Sequence, residues 1–573
     1  MKYRIKAEGL LLALAALGMV TGALAQNVAD MRDVTDERLQ NPEDGNWLMF
    51  RRTYDGWGYS PLDDINTRNV DELKVAWTLS TGVTEGHQSP PIVNDGIMYI
   101  TTPLNLVYAI DATNGNVIWQ YRRTLPFDLS LMHPTNRGVA LYGDKVYMAT
   151  SDAMLVALDA RTGALVWEKA IEDYRTGYYI TMAPLAAKGK VMVGVSGGER
   201  GIRGFITALD VNTGDQVWKT YTVPAPGEPG AETWPEGMYE HGGASVWVTG
   251  NFDPEQNLTF WGTGNAGPWI GDARPGDNLY ANSVVALDVD NGQMKGYHQY
   301  HWNDSWDWDE VSTPMLIDVT KNGETFPALI HPGRNGYLWT LKREDDGSIS
   351  YVDAKPFVYQ NVFKSLDPVT GRPEYNEGTK PGLGVDGTYC PSLSGGKNWT
   401  PAAYSPDTKL VYIPANDNYC TTMGGQPVEY RPGQNYTGTT AIRASIMEGT
   451  DYIGEMQAWD IEKGEKVWSQ KFDMANWGPV MTTAGNLVFS GGTADRYFRA
   501  FDARNGRILW QERLNSGITG VPTTYEVDGK QYIAIQSGWG VDASRMQRAI
   551  DTIKGEETIV PQGGVLWVFA LED

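Results

Sequence analysis

One pattern recurs along this chain and limits what it can fold into: Ala-x-Asp-x-x-x-Gly-x-x-x-Trp. It stands at Ala109/Asp111/Gly115/Trp119, Ala157/Asp159/Gly163/Trp167, Ala208/Asp210/Gly214/Trp218, Ala458/Asp460/Gly464/Trp468 and Ala500/Asp502/Gly506/Trp510. A degenerate copy, Ala286/Asp288/Gly292, lacks the Trp. Each copy reads as strand, turn, strand. Leu155-Val156-Ala157-Leu158-Asp159 alternates with period two, the Asp caps the turn, the Gly takes a positive φ and the Trp falls on the second strand. Neighbouring copies place their Asp residues 48, 51 and 42 residues apart, the length of one four-stranded propeller blade. Between Asp288 and Asp460 no clean copy occurs, and the space suits several blades with long insertions. Residues 565–571 read as a strand that completes a blade begun near the N-terminus, closing the ring without a free edge. The expectation is a single all-β propeller over residues 26–573. A β-sandwich array fits less well, because five Trp-bearing copies recur at blade length.

The first 25 residues stand apart. Lys2, Arg4 and Lys6 precede a short apolar run that ends in Ala23-Leu24-Ala25, the form of a cleaved secretory signal peptide. An uncleaved anchor is the poorer reading, since the run is short for a bilayer span. The mature chain is therefore expected in the periplasm, with no membrane span. The 47 Lys and Arg against 70 Asp and Glu give a net charge of −23. That disfavours nucleic acid, which needs clustered cations, and suits a small basic partner such as an electron carrier. Only two cysteines exist, Cys390 and Cys420. In an oxidising compartment they are expected to form one disulfide. With no C-x-x-C-H, the chain carries no covalent c-type haem, and with two Cys no Cys-ligated zinc or iron–sulfur site.

Three segments carry polar residues among glycines beyond what turns require: Ser196-Gly197-Gly198-Glu199-Arg200-Gly201, Gly262-Thr263-Gly264-Asn265-Ala266-Gly267, and Asn303 to Glu310 with Asp307 and Asp309. Glu199, Asn265, Asp307 and Asp309 are hard oxygen donors, suited to a hard cation. Any one of them alone is more simply a turn carboxylate or an Asx cap. The second segment matches G-x-G-x-x-G, but Pro268-Trp269 follows where a dinucleotide-binding helix must open, so nicotinamide and flavin binding are set aside.

In order along the chain, Tyr59-Ser60-Pro61-Leu62, Asn136-Arg137-Gly138, Thr181-Met182-Ala183-Pro184, the Gly-Gly-Glu segment, Gly262 to Asn265, Trp306-Asp307, Gly333-Arg334-Asn335-Gly336, Trp477-Gly478 and Gln531-Tyr532-Ile533-Ala534 resemble the pyrroloquinoline quinone (PQQ)-dependent alcohol dehydrogenases, which include the methanol and ethanol quinoprotein dehydrogenases. The resemblance covers nearly the whole mature chain. It implies an eight-bladed propeller that binds PQQ and one Ca²⁺ or lanthanide ion, and that passes electrons to a soluble c-type cytochrome; homodimers are common in the family. It implies Glu199 and Asn265 as metal ligands and Asp307 as the catalytic base beside the ion. Trp247 matches the indole that stacks on the quinone. Arg137, Thr181, Ser196, Gly197, Gly198, Arg334, Asn398, Trp399 and Trp477 match positions that hold the cofactor. PQQ, with three carboxylates and an ortho-quinone, calls for such guanidinium donors, a cation and a flat stacking surface. Lanthanide-using members carry an Asp where this chain has Asp309, two residues beyond the base, and an added carboxylate balances a trivalent ion better than a divalent one.

Two departures bear on the substrate. The adjacent Cys pair that most alcohol-oxidising members place shortly before Asn-Arg-Gly is here Leu131 and Met132, and the acidic residue often found by the N-terminal blade is Gln88. Cys390 and Cys420 match the family's other disulfide. The expected substrate is an alcohol larger than methanol, secondary or cyclic alcohols included. Two readings from other classes fit the sequence less well. A non-enzymatic envelope scaffold needs the repeat but not Glu199, Asn265, Asp307 and Arg334 together. A glycoside hydrolase pairing Asp307 with Asp309 or Glu310 has no other support.

Overall fold

The computed structural model describes residues 31–321 and 323–572; the signal peptide expected over residues 1–25 lies outside them. The strands form eight four-stranded antiparallel units, all but the last drawn from segments that follow one another along the chain. Blade 1 comprises Ile92–Asn94, Ile97–Thr102, Leu106–Asp111 and Val117–Arg122. Blades 2, 3 and 4 run from Ala140–Tyr142 to Leu165–Ala170, from Leu185–Ala187 to Gln216–Tyr221, and from Asn251–Asp253 to Met294–Gln299. Blade 5 runs from Met315–Lys321 to Ile349–Pro356, blade 6 from Ala403–Ser405 to Glu465–Phe472 and blade 7 from Val480–Thr483 to Ile508–Arg513. Blade 8 takes Thr523–Val527, Lys530–Ser537 and Val565–Ala570 from the C-terminal region and Lys74–Ser80 as its outermost strand. Lys74 faces Ala570 and Ser80 faces Val565, so the ring closes as the sequence leads one to expect. Tyr59–Ser60 adds a parallel strand to blade 7.

The repeat explains how neighbouring blades adhere. Asp159 accepts from the amides of Arg161 and Thr162, and Gly163 follows at φ 70°. The indole of Trp119, one blade earlier, lies over that glycine and donates to Ala160 O at 3.0 Å. A Cβ at Gly163 would sit 2.5 Å from Trp119 Cε3. Trp167 donates likewise to Val211 O, Trp218 to Val289 O and Trp468 to Ala503 O. Trp77, outside the repeat, does the same to Ala112 O. Burying one side of an indole and satisfying its N–H stabilises each junction by a few kcal/mol, on the order expected for an aromatic of this size. In the degenerate copy Gly296 stands in the Trp position. A Cβ there would strike Gly347 O, so the backbone of the blade 5 turn fills the space an indole takes elsewhere.

One expectation needs correction. Between Asp288 and Asp460 lie not several blades but the last strand of blade 4, the whole of blade 5 and three strands of blade 6. Insertions take up the rest: the hairpin Phe363–Leu366/Pro373–Tyr375 and a three-stranded sheet of Gly387–Tyr389, Tyr419–Met423 and Arg443–Ile446. Cys390 and Cys420 form a disulfide within this region. A second insertion, in blade 8, forms the helix Val541–Lys554. It buries Ala543, Met546 and Ile550 and ends at Gly555 in the left-handed conformation.

Candidate functional site

Strand direction alternates within a blade, so the start of its first strand and the end of its second lie at the same end of the sheet. The segments at those two positions surround a cavity of about 320 Å³. Arg137 precedes blade 2 and Thr181 precedes blade 3, where Ser196, Gly197 and Glu199 follow the second strand. Ser245 and Trp247 precede blade 4, and Asp307 and Asp309 precede blade 5, whose second strand leads to Arg334. Asn398 and Trp399 precede blade 6, and Trp477 precedes blade 7. All of these line the cavity. Asn265 and Gly198 lie buried just behind its wall: a Cβ at Gly198 would stand 3.4 Å from Asn265 Oδ1. Gln88 lies apart, in a small neighbouring cavity that shares His133, Arg137 and Asp542 with the main one.

Asp307 is held in an unusual conformation. Its φ is +61°, a left-handed geometry that Asp tolerates better than most residues, and its amide donates to Asp304 Oδ2 at 3.1 Å. Trp306 and Trp308, on either side, turn into the protein and stack at 5.2 Å. Asp309 is saturated with donors: Oδ1 accepts from the Asn265 amide, and Oδ2 from Trp247 Nε1 at 3.2 Å and Arg334 Nη1 at 2.9 Å. A Cβ at Gly264 would stand 2.5 Å from Asp309 Oδ1, so only glycine admits the carboxylate here. Arg137 donates to Thr181 Oγ1. Its guanidinium lies 4.8 Å from the ring centroid of Trp247 and 4.5 Å from that of Trp399, within cation–π range.

The electrostatics are those of an acidic pocket short of cations. Burial raises Asp307 well above the carboxylate range, with Arg334 opposing and Asp309 and Glu199 adding to the rise. Burial, then Asp309, lifts Glu199 to about 7, and burial raises Asp309. Burial opposes the charge of Arg334, but Asp309 and Asp307 outweigh it and raise its pKa. Burial lowers Arg137 to about 9. Three carboxylates thus face two guanidinium groups. Asn265 Oδ1 and Asp307 Oδ1 are buried without a donor, and Arg137 Nε, Arg334 Nε and Trp477 Nε1 without an acceptor. Orphaned acceptors suit a cation, and orphaned donors suit an oxygen-rich anion. Among the described residues no three His, Cys, Asp or Glu side chains form a ready-made metal cage. The candidate set mixes carboxylates with the Asn265 amide.

Several lining residues carried no signal in the sequence reading: His133, Tyr179, Trp269, and Asp542, Arg545 and Met546 of the blade 8 helix. The helix was the one that could have been found, from Ala543, Met546 and Ile550 at three- and four-residue spacing before Gly555. Met132 lines the cavity. No helix opens after the G-x-G-x-x-G match; the next element is the single turn Gly271–Ala273.

A family profile described as the glucose/ethanol/alcohol dehydrogenase β-propeller domain that binds PQQ matches residues 47–364 and 450–533. The chain belongs to this PQQ-dependent alcohol dehydrogenase family. It is 36% identical over 588 residues to the quinoprotein alcohol dehydrogenase PedH of Pseudomonas putida, covering 97% of this chain and 96% of that one. It is also 36% identical to the lanthanide-dependent methanol dehydrogenase of Methylacidiphilum fumariolicum, over 100% of this chain and 98% of that one. A europium-containing methanol dehydrogenase structure superposes with a TM-score of 0.88 at 35% identity, covering 94% of this chain and 100% of that one. The quinoprotein is thus an oxidoreductase that uses PQQ, and a Ca²⁺ or lanthanide ion fits its site. An enzyme, not an envelope scaffold, accounts for the joint presence of Glu199, Asn265, Asp307 and Arg334. Glu310 does not line the cavity, which removes it as an acid–base partner of Asp307.

Proposed function

We propose that this quinoprotein oxidises the hydroxyl of an alcohol larger than methanol, secondary and cyclic alcohols included, to an aldehyde or ketone in the periplasm. Its electrons pass to a separate soluble c-type cytochrome, a basic partner for a chain of net charge −23. The observation that carries the reading is Asp307: a buried carboxylate on the cavity wall, in a left-handed conformation fixed by Asp304, with Oδ1 unpartnered. Bound there, PQQ would supply a hydride acceptor for the carbinol carbon and the cation would supply Lewis acidity. Kept ionised by the charge of the cation beside it, Asp307 would take the hydroxyl proton at its free oxygen. Glu199 and Asn265 Oδ1 hold the ion. Arg334 and Arg137 supply charged donors to the cofactor, with Thr181, Ser196, Asn398 and Trp477 as further polar contacts. Trp247, with its indole N–H anchored on Asp309, offers its face for stacking. The apolar side chains Met132, Leu393, Ile442 and Met546 on the cavity wall favour a substrate with more carbon than methanol.

A lanthanide is the proposed ion, because Asp309 adds a third carboxylate to the pocket and two relatives are named for lanthanide or europium. The test is dye-linked oxidation by apo-protein given PQQ with Ca²⁺ or La³⁺, against primary and secondary alcohols. Activity that needs PQQ and rises with La³⁺ supports the reading. Activity on methanol alone would remove the substrate assignment, and full activity with Ca²⁺ alone would remove the ion assignment.

A further inference from the structure

Glu310 is a buried carboxylate that the reaction does not use. Its side chain is 0% exposed, it follows Asp309 directly, and it points into the protein, away from the cavity. Oε2 accepts from His331 Nε2 at 2.7 Å and from the Arg334 amide at 3.0 Å, and Oε1 accepts from the Asn335 amide at 3.2 Å. These contacts grip the turn that joins Glu324–Pro332 to Tyr337–Arg343 in blade 5. A Cβ at Gly333 would lie 2.8 Å from Glu310 Oε2, so the glycine is what lets the carboxylate come so near the turn. The other end of the same arginine is held by the neighbouring carboxylate, Asp309, at Nη1. Two consecutive acidic residues therefore hold Arg334 by its backbone and by its guanidinium.

The network also reaches the proton acceptor. His301 Nδ1 lies 3.7 Å from Glu310 Oε1, and His301 Nε2 lies 3.2 Å from Asp304 Oδ1. Asp304 in turn accepts from the amides of Trp306 and Asp307. His301 thus stands between the carboxylates that hold the two turns, hydrogen-bonded to Asp304 and near Glu310 without a hydrogen bond to it.

We propose that Glu310 is the positioning residue for Arg334: its carboxylate fixes the turn that aims the guanidinium into the PQQ cavity. This rests on the reading of Arg334 as a cofactor-binding residue. A purely structural carboxylate would affect stability alone; a positioning one must act through Arg334. The experiment is a double-mutant cycle on PQQ affinity. Apo-protein with La³⁺ is titrated with PQQ, following tryptophan fluorescence, for the wild type, Glu310→Gln, Arg334→Lys and the double variant, with thermal midpoints recorded alongside. Glu310→Gln is expected to weaken PQQ binding by about 10- to 100-fold, the range for a lost bond to a charged group. In the Arg334→Lys background the same change should cost less than about threefold. An equal loss in both backgrounds, or a lowered midpoint with PQQ affinity intact, overturns the proposal. Wild-type affinity in Arg334→Lys alone would instead refute the site reading. Should Glu310→Gln not fold, Glu310→Asp, which keeps the charge but cannot reach both amides, is carried through the same cycle with the same criteria.

Discussion

Replacing Asp309 by Asn separates the charge of this residue from its shape. The carboxylate is buried and shares its cavity with Glu199 and Asp307, so removing its charge weakens the hold on any cation bound there. For a separation on the order of 5 Å at an effective dielectric near 20, each unit of ion charge loses about 3 kcal/mol. A trivalent ion therefore loses about 3 kcal/mol more than a divalent one, roughly two orders of magnitude in relative affinity. Asn keeps an acceptor for the Asn265 amide or for Trp247, so the indole should stay close to its present place. Asp309→Ala would add the cost of stranding Arg334 beside a lost partner, about 3–5 kcal/mol for a broken buried pair, offset in part by Asp307 and by the contact of Arg334 Nη2 with Leu393 O. The assay is calorimetric titration of PQQ-loaded protein with La³⁺ and with Ca²⁺, for the wild type and both variants. The Asn variant should lose most of its preference for La³⁺ while retaining Ca²⁺ binding. An unchanged ratio of the two affinities in Asp309→Asn would refute the claim that this carboxylate selects the ion by its charge.

Gly163→Ala forces a Cβ to 2.5 Å from Trp119 Cε3 at a φ of 70° and should cost about 3 kcal/mol by calorimetry, from left-handed strain plus a displaced indole. Gly143→Ala, at φ 58° with nothing near its Cβ, should cost only the strain, about 1 kcal/mol; equal costs would show that the indole junction contributes nothing. Burial lowers Lys397 to about 7 against about 10.4 in an unfolded chain. Between those values the unfolded state binds the extra proton, so stability rises with pH by at most about 1.4 kcal/mol per unit. Lys397→Met should remove that slope from thermal midpoints measured across the window. Opening the 30-residue loop with Cys390→Ser/Cys420→Ser should cost about 3–4 kcal/mol. It should also speed PQQ release, since Ser392, Leu393 and Thr421 of the cavity wall flank the bridge; release unchanged in stopped-flow would confine the disulfide to stability.

The blades whose turns carry Asp, Gly and Trp were legible from sequence because the motif is itself the adhesive: cap, positive φ and docking indole are all local. Blade 5 was not. At the corresponding turn it carries Leu341-Lys342-Arg343-Glu344, and the junction before it uses a backbone turn against Gly296 in place of an indole. In the site, Glu199, Asn265, Asp307 and Arg334 were found by likeness to a family, and the structure gathers them. Glu310 reads from sequence only as a poor candidate acid, because its proposed positioning role depends on which way it faces. That direction shows only in the fold, where His331 and the amides of Arg334 and Asn335 meet its carboxylate. Tyr179 and Trp269 lie just outside the singled-out segments, and the helix Val541–Lys554 reaches the cavity from a segment whose sequence says nothing of a ligand.

The closure of the ring bears directly on this site. Every blade offers the cavity region the same two places, the approach to its first strand and the exit of its second. Gln88 precedes blade 1, Trp477 precedes blade 7, and the helix that bears Asp542 and Met546 leaves the second strand of blade 8. Residues 88 and 542 stand at opposite ends of the chain, yet both border the small cavity beside Arg137. The pairing of Lys74–Ser80 with Val565–Ala570 helps to hold them there, together with direct bonds between blades 8 and 1: His87 N to Gly538 O, Thr519 Oγ1 to His87 O and Gln536 Nε2 to Ser89 O. Were that ladder to open, the junction of blades 1 and 8 would weaken along one side of Arg137, while blades 3 to 5, which carry Glu199, Asn265, Asp307 and Arg334, would keep their mutual contacts. The carboxylates proposed to bind the ion and the far end of the proposed cofactor pocket thus depend on different parts of the ring, and PQQ retention is the property that should follow the strength of its closure.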